Sequence, residues 1–129
     1  MNKTALIAGT VFAGLAVILG AFGAHALKQV LDVAQLQTFE TGVRYQMYHS
    51  FALLVAGILS ATFTGKQIRI AAIFFILGII CFSGSLYALV LLQAKGVVGL
   101  SGIGIITPIG GLFFIIGWLL LLLGITRKQ

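Results

Sequence analysis

The chain has 129 residues, of which 60% are hydrophobic and 8% charged, with a mean hydropathy of +1.19. A soluble domain takes roughly a quarter of its residues from the charged types, so a compact soluble enzyme, a disordered segment and a disulfide-stapled secreted domain are all excluded. The formal net charge is +6, but the eight Lys and Arg are scattered between apolar blocks, a distribution that follows the positive-inside rule and does not form a nucleic-acid face.

Four stretches without formal charge follow one another along the chain, and four membrane spans of ~20 residues each are what they supply. The first covers residues 4–27. Lys3 and Ala24-His25-Ala26 imitate a signal peptide and its cleavage site, but the apolar run exceeds the usual length of about 7–15 residues, so retention as a span is expected. Gly9, Ala13, Ala16, Gly20 and Gly23 recur along it at heptad spacing. Between residues 28 and 41 the apolar positions Leu27, Val30, Leu31, Ala34, Leu36, Phe39 and Val43 keep helical spacing, which predicts a short external helix lying at the interface. Glu40 and Arg44 stand four apart in the acid-first order that favours a pair on a helix.

The second span, near 42–64, opens with Thr-Gly-Val-Arg-Tyr-Gln-Met-Tyr-His-Ser at 41–50, which is polar for a membrane segment. At 100° per residue Thr38, Gly42, Tyr45 and His49 share a face with Gln46 at its edge, while Arg44 and Tyr48 point away to the headgroups. His49 lies about two turns in at ~1.5 Å per residue. An ionisable ring at that depth faces the bundle interior or a wet cavity, and Tyr87 or Ser85 is its expected partner.

The third span, near 70–93, carries small residues at Ala71, Gly78, Cys81, Ser85 and Ala88. Cys81 is the sole cysteine. It is read as a small buried thiol. The fourth span, near 106–126, begins about Pro108, placed in the first helical turn where its missing N–H costs nothing. The Gly-rich stretch 96–107 is read as an external loop. Gly110, Gly117 and Gly124 continue the small-residue theme. Lipid gives helices no hydrophobic reason to associate, so such seams supply close contact; Leu121 is read as facing lipid.

Lys3, Lys66, Arg69, Arg127 and Lys128 fall on one side of this arrangement, and Lys28, Arg44 and Lys95 with both acids on the other. The expected location is the bacterial inner membrane with both termini cytoplasmic. His25, Gln46, His49, Ser83, Ser85, Tyr87 and Thr107 then fall in the outer half, whereas Thr10, Ser60 and Thr62 in the inner half can bond back to their own helix. The candidate pocket is His49, Tyr45, Gln46, His25, Ser85 and Tyr87, open to the outside and closed to the cytoplasm; the alternative is a structural hydrogen-bonded network that holds no ligand. No metal-ligand spacing and no nucleophile with a base is present, so no catalytic residue, metal or cofactor is expected.

Four blocks carry a resemblance: Gly-Ala-Phe-Gly-Ala-His-Ala-Leu-Lys at 20–28, Phe-Glu-Thr-Gly-Val-Arg-Tyr-Gln-Met-Tyr-His-Ser at 39–50, Cys-Phe-Ser-Gly-Ser-Leu-Tyr at 81–87 and Thr-Pro-Ile-Gly-Gly at 107–111. The chain resembles the domain-of-unknown-function 423 family of small bacterial inner-membrane proteins. The resemblance implies four membrane helices and no signal cleavage; it brings no catalytic residue with it. The expected fold is therefore an all-α membrane protein, a four-helix transmembrane bundle with a short external interfacial helix. Two functions compete. One is a structural or accessory protein that packs through its Gly/Ala seams with itself or a larger membrane complex. The other is a binding or transport protein whose outer pocket accepts a lipid, quinone or small solute. The lipid bilayer is the expected partner in both, and nucleic acid in neither.

Overall fold

The computed structural model describes residues 1–127, and Lys128, counted above among the basic residues of one side, lies outside them. The chain is an all-α membrane bundle. Helix α1 (Lys3–Ala24) starts on Asn2, whose side chain accepts the Ala5 N–H at 3.2 Å. A single 3-10 turn, Leu27–Gln29, and helix α2 (Val33–Leu59) follow. The interfacial helix is thus one turn long, and the amphipathic residues after it belong to the first turns of α2. A capping box sets that boundary: the Gln35 N–H donates to Asp32 Oδ1 at 2.8 Å, and Gln35 Oε1 accepts the Asp32 N–H at 3.1 Å. Leu31 before the cap and Leu36 after it lie in one apolar cluster, the staple that fixes the angle of entry. Among the described residues Glu40 and Arg44 form no ion pair, and Arg44 Nη2 donates instead to Thr41 Oγ1 at 3.4 Å.

Helix α3 (Lys66–Gly78) passes through a π turn (Ile79–Ser83) into α4 (Gly84–Ala94), making one continuous rod. Gly96 and Gly99 carry φ of +77° and +78° in the loop that follows, a conformation that side chains resist. Helix α5 (Ser101–Thr126) begins earlier than the sequence suggested, so Pro108 lies inside it rather than in its first turn. Backbone groups in hydrocarbon have no water to satisfy them, and a helix that forgoes one bond at Pro108 leaves fewer orphans than a loop would.

Three helical stretches, Lys3–Gln29, Lys66–Ala94 and Ser101–Thr126, are long and apolar enough to cross a membrane. α2 falls outside that group because of its polar residues. Its deeper polar residues point inward: Gln46, His49 and Ser50 are buried together with Gly42, while Tyr48, Phe51, Val55 and Ile58 are exposed. Large apolar side chains on the outside and small or polar ones within is the reverse of a soluble protein and fits a lipid solvent.

The helices pack in chain order, α1 on α2, α2 on the α3–α4 rod, and the rod on α5. The α3–α5 seam is antiparallel and alternates small with large. Gly124 lies on Ile68, Gly117 on Phe75, Phe114 on Gly78, and Gly110 on the backbone of Phe82. Ser85 and Thr107 continue the register with a hydroxyl pair at 2.6 Å. In the first seam a Cβ on Gly9 would stand 2.9 Å from the Ser50 carbonyl oxygen, but one on Gly20 would meet Val43 at an ordinary 3.4 Å. The close approaches are therefore at Gly9, Gly42, Gly57, Gly78, Gly110, Gly117 and Gly124. Ala88 is exposed, and Leu121 is buried, 5% exposed, in the main core cluster, so it faces protein and not lipid.

Gly110→Ala places a methyl against main-chain atoms that cannot swing aside. It is expected to lower stability by about 1–3 kcal/mol, whereas Gly14→Ala, with nothing within 4 Å, stays neutral or gains slightly. Thermal melts in mild detergent compare the two; equal shifts would show that the α5 seam is not close-packed.

Candidate functional site

The buried row on α2 feeds two separate sets of contacts. The first is a clamp across three helices. Gln46 is 3% exposed. Its Nε2 donates to the Phe12 carbonyl of α1 at 2.8 Å, and its Oε1 accepts the Tyr87 hydroxyl of α4 at 2.8 Å. Beside it the Ser83 hydroxyl donates to the Gly42 carbonyl at 2.6 Å, and the Ser50 hydroxyl to the Gln46 carbonyl at 2.6 Å. Tyr87 comes this near only because position 42 lacks a Cβ, which would stand 2.7 Å from its ring. Among the described residues no buried side-chain nitrogen or oxygen is left without a partner, so the polarity of this region is consumed in holding helices together.

The second set surrounds His49. Its Nδ1 stands 2.8 Å from the Tyr45 carbonyl, and its Nε2 accepts the Trp118 indole N–H at 3.2 Å. A ring that donates through Nδ1 and accepts at Nε2 is in one fixed neutral tautomer. It lies flat on Phe114, centroids 3.4 Å apart and planes 9° from parallel. Phe75, Trp118 and Tyr45 close around it at 5.8, 6.0 and 6.1 Å. The expected partners, Tyr87 and Ser85, are not in contact with it: Tyr87 serves Gln46, and Ser85 pairs with Thr107. Both sit on other faces of the rod.

A groove of about 640 Å³ runs between α2 and α5 over this cluster, walled by Tyr45, His49, Phe82, Phe114 and Trp118, with Pro108 at one end. Its rim residues Leu112, Ile115 and Trp118 are exposed and apolar, so the mouth opens sideways between helices. Of the six candidate residues, the structure brings His49 and Tyr45 into the groove. Gln46 and Tyr87 form the clamp, Ser85 ties α4 to α5, and His25 is exposed at the end of α1. Sequence reasoning missed Phe114, Trp118 and Phe82. Phe114 sits on the glycine face of α5, and the heptad 110, 114, 117 was the available signal. The hydroxyls of Thr10 and Ser60 do bond back to Leu6 and Gly57 in their own helices, at 2.8 Å each.

Gln46→Leu removes both bonds of the clamp and leaves the Phe12 carbonyl and the Tyr87 hydroxyl without their Gln46 partner. It is expected to lower stability by about 1–3 kcal/mol; Tyr87→Phe removes one bond and costs about 0.6 kcal/mol, the usual size in membranes. The double variant is expected to be no worse than Gln46→Leu alone. Fully additive losses in detergent melts would dissolve the clamp.

Comparison with known proteins bears on the same residues. Residues 19–111 match the family described as protein of unknown function DUF423, a range that contains Gln46, His49, Tyr87 and Pro108. A UPF0382 membrane protein of Staphylococcus aureus is 46% identical over 121 residues, covering 94% of this chain and 93% of its own. The UPF0382 membrane protein YwdK of Bacillus subtilis is 40% identical over 126 residues, covering 97% and 98%. One from Haemophilus influenzae is 43% identical over 113 residues, covering 88% and 86%. No solved structure matches the chain. With its apolar helices and membrane-protein relatives, the chain is a membrane protein, and it belongs to the DUF423 family.

Proposed function

We propose that the chain is a binding protein of the bacterial inner membrane that takes a bilayer-soluble ligand, carrying a flat ring and a hydrogen-bonding oxygen, into the α2–α5 groove. Quinones belong to that class. The carrying observation is the groove itself. Its 640 Å³ falls in the range of small-molecule sites, about 300–1,000 Å³. It is walled by aromatic rings and edged by the Tyr45 hydroxyl, and its sideways mouth admits a ligand from lipid. The reading is one of binding and not catalysis, because the His49 ring and the Trp118 indole N–H are already committed to one another. An accessory role through glycine seams is less well supported, since the close seams are filled within the chain: Gly57 by Leu6, Gly117 by Phe75 and Gly124 by Ile68.

In this reading all four helices cross the membrane, α2 among them, with both termini in the cytoplasm. The charge balance motivates it: Lys3, Lys66, Arg69 and Arg127 at one end against Lys28, Arg44 and Lys95 with Asp32 and Glu40 at the other. Alkaline phosphatase fused after the last residue is expected to be inactive, and a fluorescent cytosolic reporter bright at the same place. The opposite pair of results overturns the orientation.

Trp118 is the single tryptophan, so its fluorescence reports on the groove alone. Titration with decyl-ubiquinone in detergent is expected to quench it saturably. Tyr45→Leu, which changes a wall without touching Trp118, is expected to weaken binding about tenfold, the equivalent of 1.4 kcal/mol. Linear quenching equal to that of N-acetyltryptophanamide in the same micelles would refute the site.

A further inference from the structure

At the end of the bundle where α1 and α3 begin, the chain forms a second concavity of about 420 Å³, lined by Met1, Asn2, Lys3, Ser60, Thr64 and Arg69. Three segments build it: the start of α1, the turn after α2 and the first turn of α3. Their relative positions are fixed. The Asn2 N–H donates to the Gly57 carbonyl at 3.0 Å, the Phe63 N–H to the Leu59 carbonyl at 2.8 Å, and Phe63 packs onto the main core cluster.

The charge in this concavity is unbalanced. Lys3 and Arg69 come from different helices. The acids of the sequence, Asp32 and Glu40, both lie near the start of α2 at the opposite end, and among the described residues neither cation has an ionic partner. The positive-inside rule asks for basic residues on one side of the membrane; it does not ask two of them to share one cavity with an amide and two hydroxyls. Asn2 Oδ1 is taken by the Ala5 N–H, which leaves its Nδ2 as a donor, and Thr64 adds a hydroxyl to the same lining.

We propose that this concavity binds a phosphate group, with Lys3 and Arg69 supplying the charge and Asn2 and Thr64 neutral donors. Arg presents a planar fork that matches phosphate oxygens, and Lys adds a point charge. The cavity lies where the apolar helix faces end, the depth of lipid headgroups. The phosphate comes either from the headgroup of an anionic lipid or from a soluble phosphate compound, and both offer the same oxygens. The site is separate from the α2–α5 groove and does not depend on what that groove binds.

The purified full chain in neutral detergent, analysed by native mass spectrometry, tests this. Wild type is expected to retain dioleoylphosphatidylglycerol over dioleoylphosphatidylcholine. Lys3→Gln and Arg69→Gln are each expected to weaken retention about fivefold, the equivalent of ~1 kcal/mol per basic residue at a membrane surface; Lys95→Gln, at the other end, leaves it unchanged. Inorganic phosphate at millimolar concentration separates the sources. If it raises the melting temperature of wild type but not of Arg69→Gln, the site takes soluble phosphate; if it does neither and the lipid preference stands, the site takes the headgroup. Circular-dichroism melts of the variants without lipid are expected to match wild type, which separates lost binding from lost folding. Equal retention of both lipids together with no effect of phosphate overturns the proposal. So does a Lys95→Gln variant that loses as much as Arg69→Gln.

Discussion

Gly110 rests on the main chain of Phe82, and that contact governs the rest of the α5 side. In lipid two helices gain nothing from burying apolar surface, so they must come close enough for dispersion to hold them. A glycine against backbone is the nearest approach the chemistry allows. Once Gly110 is seated, the antiparallel register brings Phe114 to Gly78, Gly117 to Phe75 and Gly124 to Ile68. Each glycine receives a large side chain, and Phe114 in turn fills the space over Gly78. The stack of Phe114 on His49 is a by-product of this register. So is the position of Trp118, one residue beyond Gly117, where its indole reaches across to α2.

The other half of the molecule is held differently. α1, α2 and α4 meet at Gln46, whose amide uses both ends, and at Ser83, which donates to Gly42. Polar bonds in membrane proteins are individually modest. Their value here lies in direction: an amide that must reach a carbonyl on α1 and a hydroxyl on α4 fixes the rotation of α2 about its own axis. That rotation turns Tyr48, Phe51, Val55 and Ile58 to the outside and explains how a helix with so many polar residues presents an apolar face.

Much of this could be read from the chain. Helical class, membrane residence, the inward turn of His49 and the glycine periodicity of α5 all follow from spacing and from the cost of polar groups in hydrocarbon. What escaped has physical causes. α5 starts earlier than Pro108 as a first-turn residue implies, because the demand for backbone satisfaction in lipid outweighs one lost bond. Leu121 was read outward because leucine suits lipid and core equally, so composition cannot orient it. Tyr87 and Ser85 were offered to His49 on depth alone; depth gives the level of a residue but not its azimuth, and they face elsewhere. The azimuth of that segment is set by the π turn, which has no signature in spacing.

The π turn at Ile79–Ser83 has a mechanical meaning. It holds one residue more than an α-helical turn, so the rod is two helices in series with a rotational offset between them. The lower part answers to α5 through Phe75 and Ile68; the upper part answers to α2 through Tyr87 while Ser85 keeps its hold on α5. A straight helix would force both sets of neighbours onto one phase. The extra residue acts as a universal joint, letting each end of the rod meet its own partners without twisting the other. If the widened turn migrated by one position, it would turn only the residue it passed by about 100°, leaving the anchors at both ends in place.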